Sequence, residues 1–171
     1  MRVVGIIAEY DPFHNGHEYH LKKAKEMTGA QAAAVVISGS FTQRGSAAFY
    51  DKKARTAAAL AAGADLVLEL PYIYACNAGS EFAYGAVSVL ESTGIVTDLV
   101  FGSECGDAAA LERVAAALLT PDFRDRLRRE LPGAVSFAAA RQRALAGLVP
   151  PADAALLASP NNILGIEYCK A

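Results

Sequence analysis

Short apolar runs rich in β-branched residues alternate with helix-forming segments along most of this chain, and that rhythm restricts the fold more than any other feature. Residues 3–8 are apolar without interruption, as a strand buried on both faces requires, and 17–27 then read as a helix ending near Gly29. The pattern repeats: 33–38 form a second buried strand, 51–62 a helix stopped by Gly63, and 65–70 a third strand stopped by Pro71. A small-residue helix over 80–92, a fourth strand over 98–102 and a helix over 107–118 capped by Asp107 complete the series. Strands separated by helices cannot pair as hairpins, so the expected fold is α/β, a parallel sheet flanked by helices. From Pro121 the texture changes to arginine-rich helices, 122–130 and 136–147, separated by Leu-Pro-Gly and followed by Val149-Pro-Pro. The expected division is therefore an α/β core over 1–120 and a helical C-terminal extension over 121–171. The last ten residues are apolar and helix-like without a C-terminal cap, which suggests a chain cut short or a short natural form.

With 171 residues, 53% of them hydrophobic, the chain can bury about two-thirds of its unfolded surface in one compact body. A net charge of −2 and a pI near 5.9 supply no global field for a polyanion, which must be met locally. Cys76, Cys105 and Cys169 form no CxxC pair and are odd in number, which argues against a disulfide framework and for a cytoplasmic location. The N-terminal apolar run is too short for a signal peptide, and charges interrupt every apolar run before it could span a membrane.

All three histidines, His14, His17 and His20, follow the first strand at spacing i, i+3, i+6. In a parallel sheet, ligands bind beyond the carboxyl ends of the strands, where the next helix aims its unpaired N–H groups and positive dipole end. A phosphate fits there, with Gly16 allowing close backbone approach and Pro12 fixing the loop. Transfer of an adenylyl group needs donors for the charge on the α-phosphate and the leaving pyrophosphate more than it needs a base. His14 and His17 are the candidate catalytic pair. A histidine at a helix start can also be a simple cap. Three histidines can also bind metal, but these lack carboxylate or thiolate partners at familiar ligand spacing.

His14-Asn-Gly-His17 resembles the H-x-G-H signature of the nucleotidyltransferase superfamily. The surrounding words narrow the resemblance: Gly5-Ile-Ile-Ala-Glu-Tyr-Asp-Pro-Phe, Ile37-Ser-Gly-Ser-Phe-Thr-Gln-Arg-Gly, Gly63-Ala-Asp-Leu-Val-Leu-Glu-Leu-Pro, Phe101-Gly-Ser-Glu and Asn161-Asn-Ile-Leu-Gly-Ile-Glu-Tyr. In order and spread over residues 5 to 168, they closely resemble the tRNA(Met) cytidine acetate ligase family. The resemblance implies a Rossmann-like nucleotidyltransferase fold. It also implies activation of acetate by ATP, with Mg²⁺, to acetyl-adenylate, and acetyl transfer to N4 of the wobble cytidine of elongator tRNA(Met). It places nucleotide contacts on Ile7, Ala8, Glu9, Tyr10, Asp11, Pro12, Phe13, His14, Asn15, Gly16, His17, Glu18, Tyr19 and His20, then on Gly102 and on Asn161 or Asn162, with Asn161 favoured. Two alternatives stand beside this one: a small-molecule adenylyltransferase of the same fold and, in a different class, a nucleotide-binding module without catalysis.

Residues 38–45 read as a lid, with Ser38, Gly39, Gln43 and Arg44 as candidate substrate contacts together with Lys52. Arg44 or Lys52 would neutralise the acetate carboxylate or phosphates. Glu69 and Glu104 could orient ribose or Mg²⁺, and Arg124, Arg126, Arg128, Arg129, Arg141 and Arg143 could meet tRNA phosphates. Asp11 stands where the family commonly has Asn, which is expected to place negative charge near phosphate and weaken nucleotide binding. The family also continues beyond this length, with a later arginine-containing nucleotide segment.

Overall fold

Four parallel strands in the order β3-β2-β1-β4 make the sheet, with β1 (Val3–Ala8) and β2 (Ala32–Ser38) in the middle. The computed structural model describes residues 1–171 and divides them into two compact units, 1–101 with Ala171, and 102–170. The division falls earlier than the expected boundary at 120, so the helix after the fourth strand belongs to the second unit.

In the first unit the β-branched runs form the central strands because both their faces are covered. Val4, Ile6, Val35 and Val36 are fully buried, with Leu21 and Ala24 of α1 (Asn15–Thr28) in one core with Val4, Ile6 and Val35. β1 pairs with β2 from Val3↔Ala32 to Ala8↔Ile37, and β2 pairs with β3 (Leu66–Leu70) from Ala34↔Leu66 to Ser38↔Leu70. Helix α1 closes on Gly29 in the left-handed conformation (φ 65°), which glycine adopts without strain. Asp51 caps α2 (Lys52–Ala61) by accepting from the Ala54 amide.

Three local differences from the expected elements have physical causes. β3 begins one residue late because Asp65 is held by its side chain as well as its backbone: its carboxylate accepts from Ala33 N and from Lys25 Nζ. A single turn, α3 (Tyr72–Ala75), precedes α4 (Gly79–Ser92), since the amides of Tyr74 and Ala75 both return to the carbonyl of Pro71. The fourth strand, β4 (Asp98–Leu99), is only two residues long and pairs with Val4 and Gly5. Its apolar run continues, but after the bond from Val100 N to Gly5 O the ladder stops. Gly102, expected at its end, lies outside it. Gly5 itself allows close packing here: a Cβ would lie 2.9 Å from Leu90 and 3.0 Å from Val96.

The second unit is helical throughout. α5 (Ala108–Leu118), capped by Asp107, packs on α9 (Pro160–Lys170), and α6 (Pro121–Glu130) packs on α7 (Phe137–Leu145). A short helix, α8 (Pro151–Ala154), carries Asp153 into a bidentate pair with Arg113 of α5. Glu167, buried in α9, is paired by Arg141 at 2.6 Å and by Lys170. No helix of the chain is long and apolar enough to cross a membrane.

Candidate active site

The strand order locates the site. From β1 the chain winds through β2 to β3 on one side and returns to place β4 on the other, so the winding reverses beside β1. Crevices at such reversals, outside the carboxyl ends of the strands, are where open α/β sheets bind ligands. The segment at that end of β1 is Glu9 to Phe13, running into α1. Ile7 and Ala8, the last strand residues, are partly buried. Tyr10 has a positive φ of 54°, and the Asp11–Pro12 peptide is cis. This backbone turns the Tyr10 ring inward to 1% exposure, where it meets Phe13 and His17, each at 4.8 Å between ring centres. Burial pushes the Tyr10 phenol up to about 12, so it stays protonated.

His14 is the N-cap of α1, in an extended conformation. Its Nδ1 accepts from Gly16 N at 3.1 Å, and His17 Nδ1 accepts in turn from His14 N at 3.3 Å, a reciprocal cap built from two imidazoles. The rings stack with centres 3.7 Å apart. An Nδ1 that accepts carries no proton, so the neutral ring carries its hydrogen on Nε2. Cap and ligand donor are therefore compatible roles for one ring: Nδ1 serves the helix, and Nε2–H remains a donor. Burial, reinforced by the charges of His14 and His20, pulls His17 down to about 4, which keeps it neutral near pH 7. Burial likewise lowers His20, whose Nε2 is buried without a partner. Gly16 leaves room for this arrangement, since a Cβ there would lie 3.0 Å from the His14 ring, which would have to give way by a few tenths of an ångström. Asn15 and Tyr19 are exposed, Pro12 also, and Glu18 pairs with Lys22 one turn on.

A second layer of contacts fixes the loop after β2. Phe41 and Ala47 form a bridge, and Thr42 and Ser46 bond across it, making a small hairpin. The Glu9 carboxylate accepts from Gln43 N, Gln43 Nε2 donates to Asn77 O, and the Asp11 carboxylate accepts from Phe49 N at 2.9 Å and Tyr50 N at 3.1 Å. Asp11 is thus occupied by loop amides, which offsets the phosphate-facing charge expected of it. Arg55, 1% exposed, donates to three backbone carbonyls: Glu9 O, Tyr50 O and Gly39 O. No carboxylate pairs with it. It ties the ends of β1 and β2 to the start of α2. What sets Arg55 apart from Lys52 and Lys53 in the sequence is its place one turn before Ala59, on the inward stripe of an alanine-rich helix.

Among the expected substrate contacts, Arg44 is exposed and makes no bond within the chain, whereas Lys52 is taken by Glu69 at 2.6 Å. Ser38 is fully buried with an unpartnered hydroxyl. Gly39 packs against Glu69, whose Oε1 would lie 2.4 Å from an added Cβ.

In the second unit, Glu104 caps α9: its carboxylate accepts from Asn161 N and Nδ2, both at 3.1 Å, and from Asn162 N at 2.8 Å. Asn162 is 3% exposed and accepts from Cys105 N, a structural task, while Asn161 stays at the surface. A Cβ at Gly102 would meet nothing within 4 Å, so packing within the chain does not require glycine there. Of the arginine cluster, Arg126, Arg128, Arg141 and Arg143 have carboxylate partners, and Arg124 and Arg129 bond only backbone carbonyls.

A family model for HIGH Nucleotidyl Transferase matches residues 1–171. The tRNA(Met) cytidine acetate ligase of Caldicellulosiruptor saccharolyticus is 50% identical over 99% of this chain and 42% of its own length. That of Halothermothrix orenii is 46% identical over 100% of this chain and 43% of its own. A crystal structure of Thermotoga maritima TmcAL bound with alpha-thio ATP is 44% identical with a TM-score of 0.94, covering 99% of this chain and 43% of that one. The chain thus spans about two-fifths of the length of the curated relatives it matches.

Proposed function

The chain belongs to the HIGH nucleotidyl transferase family, and from that premise we propose that it activates acetate with ATP and acetylates N4 of the wobble cytidine of elongator tRNA(Met). The supporting observation is the His14–His17 cap, whose Nδ1 atoms accept from backbone amides and so leave both Nε2–H groups as donors at the reversal point of the sheet. The acetate carboxylate attacks the α-phosphate of ATP and pyrophosphate leaves. The cytidine amine then attacks the acetyl carbonyl, AMP leaves, and the amine loses a proton. His14 and His17 donate to phosphate oxygens as charge develops on them, and exposed Arg44 offsets the charge of the carboxylate or phosphates. Asn161 and Gly102 are nucleotide contacts on the strength of resemblance. Mg²⁺ would be held through the nucleotide's own phosphates and would supply charge neutralisation there, because Glu69 is engaged by Lys52 and Glu104 by the start of α9. A cytoplasmic setting accords with three free cysteines. The relatives' names, and the ATP analogue bound by the Thermotoga protein, support the substrate assignment.

Acetate-dependent exchange of pyrophosphate into ATP tests the first step, and acetylation of tRNA(Met) the second. His14→Ala and His17→Ala should each reduce exchange far more than they reduce stability, because the donors act on the transition state. Exchange with another acid but not acetate would replace the substrate. A dinucleotide product formed without tRNA would mark a small-molecule adenylyltransferase, and ATP binding in calorimetry with no exchange would leave a nucleotide-binding module.

A further inference from the structure

The hairpin loop after β2 carries an exposed aromatic residue at each end. Phe49 is 80% exposed and stands edge-on to Tyr50, with ring centres 5.0 Å apart, while Phe41 stands edge-on to Tyr72 at 5.6 Å. Here the backbone is pinned: Asp11 accepts from the amides of both Phe49 and Tyr50, and buried Arg55 holds the Tyr50 carbonyl. The rings are thus presented on a fixed frame, so a partner would lose little conformational freedom in meeting them. The same loop and the helix after it contribute Arg44 and Lys53, both exposed and without a carboxylate partner.

Aromatic faces flanked by free cations match single-stranded nucleic acid, whose bases stack while its phosphates meet the charges. We propose that Phe49 and Tyr50 form a stacking platform for an unpaired base of the RNA substrate, a role that rests on the tRNA reading above. The chemistry of that substrate fits: an exocyclic amine inside a helix is unreachable, and a base offered to an acyl-adenylate must be splayed out of its stack. Asp11 lies three residues before His14, so the residue that fixes the platform belongs to the same segment as the phosphate donors.

The chain contains no tryptophan, so Phe49→Trp creates a single fluorescent reporter. An anticodon stem-loop RNA should quench its emission, and the same strand annealed to its complement should not. Phe49→Ala should weaken stem-loop binding about 10-fold. Phe137→Ala, which removes an exposed ring from the second unit, should leave that binding as it was. Absence of quenching, equal losses in the two alanine variants, or quenching by ATP alone would overturn the proposal. So would a dimer of the chain lost on Phe49→Ala, which would assign the rings to a second copy. Pyrophosphate exchange separates this from the parent reading: exchange with acetate but no RNA effect removes the platform alone. RNA quenching without acetate exchange leaves the platform and removes the substrate.

Discussion

Replacing Arg55 by methionine is the most direct test of how the loops around the candidate site are held. Methionine keeps much of the arginine's apolar stem while deleting the guanidinium, so three carbonyls, of Glu9, Gly39 and Tyr50, lose their donors together. A hydrogen bond to a charged group contributes about 1.5–3 kcal/mol, and the three share one donor group, so their sum overstates the loss. Against this, removing a buried charge recovers part of its desolvation cost, several kcal/mol in unfavourable cases. The balance is a destabilisation of about 3 kcal/mol. With a urea m-value of about 2 kcal/mol/M for a chain of this size, the midpoint should fall by about 1.5 M in a denaturation followed by circular dichroism. Arg55→Lys keeps the charge but lacks the planar fork, and should fall between the two. A methionine variant within about 0.5 kcal/mol of the parent would refute the reasoning, since it would mean that the three carbonyls find equivalent partners elsewhere.

Two further outcomes follow from the structure. The folded-state value of about 4 for His17 lies below its ordinary 6.5, so between these values the unfolded chain binds more protons and stability must fall as pH falls. The gap sets an upper limit of about 3 kcal/mol, which screening of a half-buried ring reduces to about 1–2. Denaturation of the parent and of His17→Asn from pH 7 to pH 4 should show this extra slope in the parent only, and parallel curves would contradict it. Gly85→Ala should destabilise by about 1–2 kcal/mol despite alanine's better helix propensity, because the new methyl would lie 2.3 Å from Tyr74 Cγ and 2.5 Å from its Cβ. A raised melting temperature for that variant would show that α3 yields more readily than its packing implies.

The sheet was legible because its signal is local. Val3 to Ala8 and the run ending at Ser38 are free of charged residues and rich in Val and Ile, and Asp51, Asp107 and Gly29 mark helix ends with the side chains and backbone that such ends need. The H-x-G-H word was legible for the same reason, as strand, loop and helix start are consecutive in sequence. What could not be read depends on pairs distant in the chain. Arg55 meets Glu9 from 46 residues away, and Asp11 meets Phe49 from 38. Lys52 looked as free as Arg44 until Glu69 came beside it. Asn161 and Asn162 are adjacent and identical in type, yet only the fold separates the surface residue from the buried one. The length of β4 also lay outside the reach of propensity, since a run can be strand-like without a neighbour to pair with.

The seclusion of Arg55 has a consequence for ionic strength. Mobile salt ions form their atmosphere in water, over a Debye length of about 8 Å at physiological concentration, and cannot surround a guanidinium that is 1% exposed. Arg44 and Lys53, standing in solvent, are fully subject to that atmosphere. On the proposed function, added salt would strip a polynucleotide from the surface cations through its loss of counterion release, while the Arg55 bonds to Glu9, Gly39 and Tyr50, out of reach of that atmosphere, kept the loops around the site in place. The chain would then have a range of salt concentrations in which the site keeps its shape while the large anion is let go.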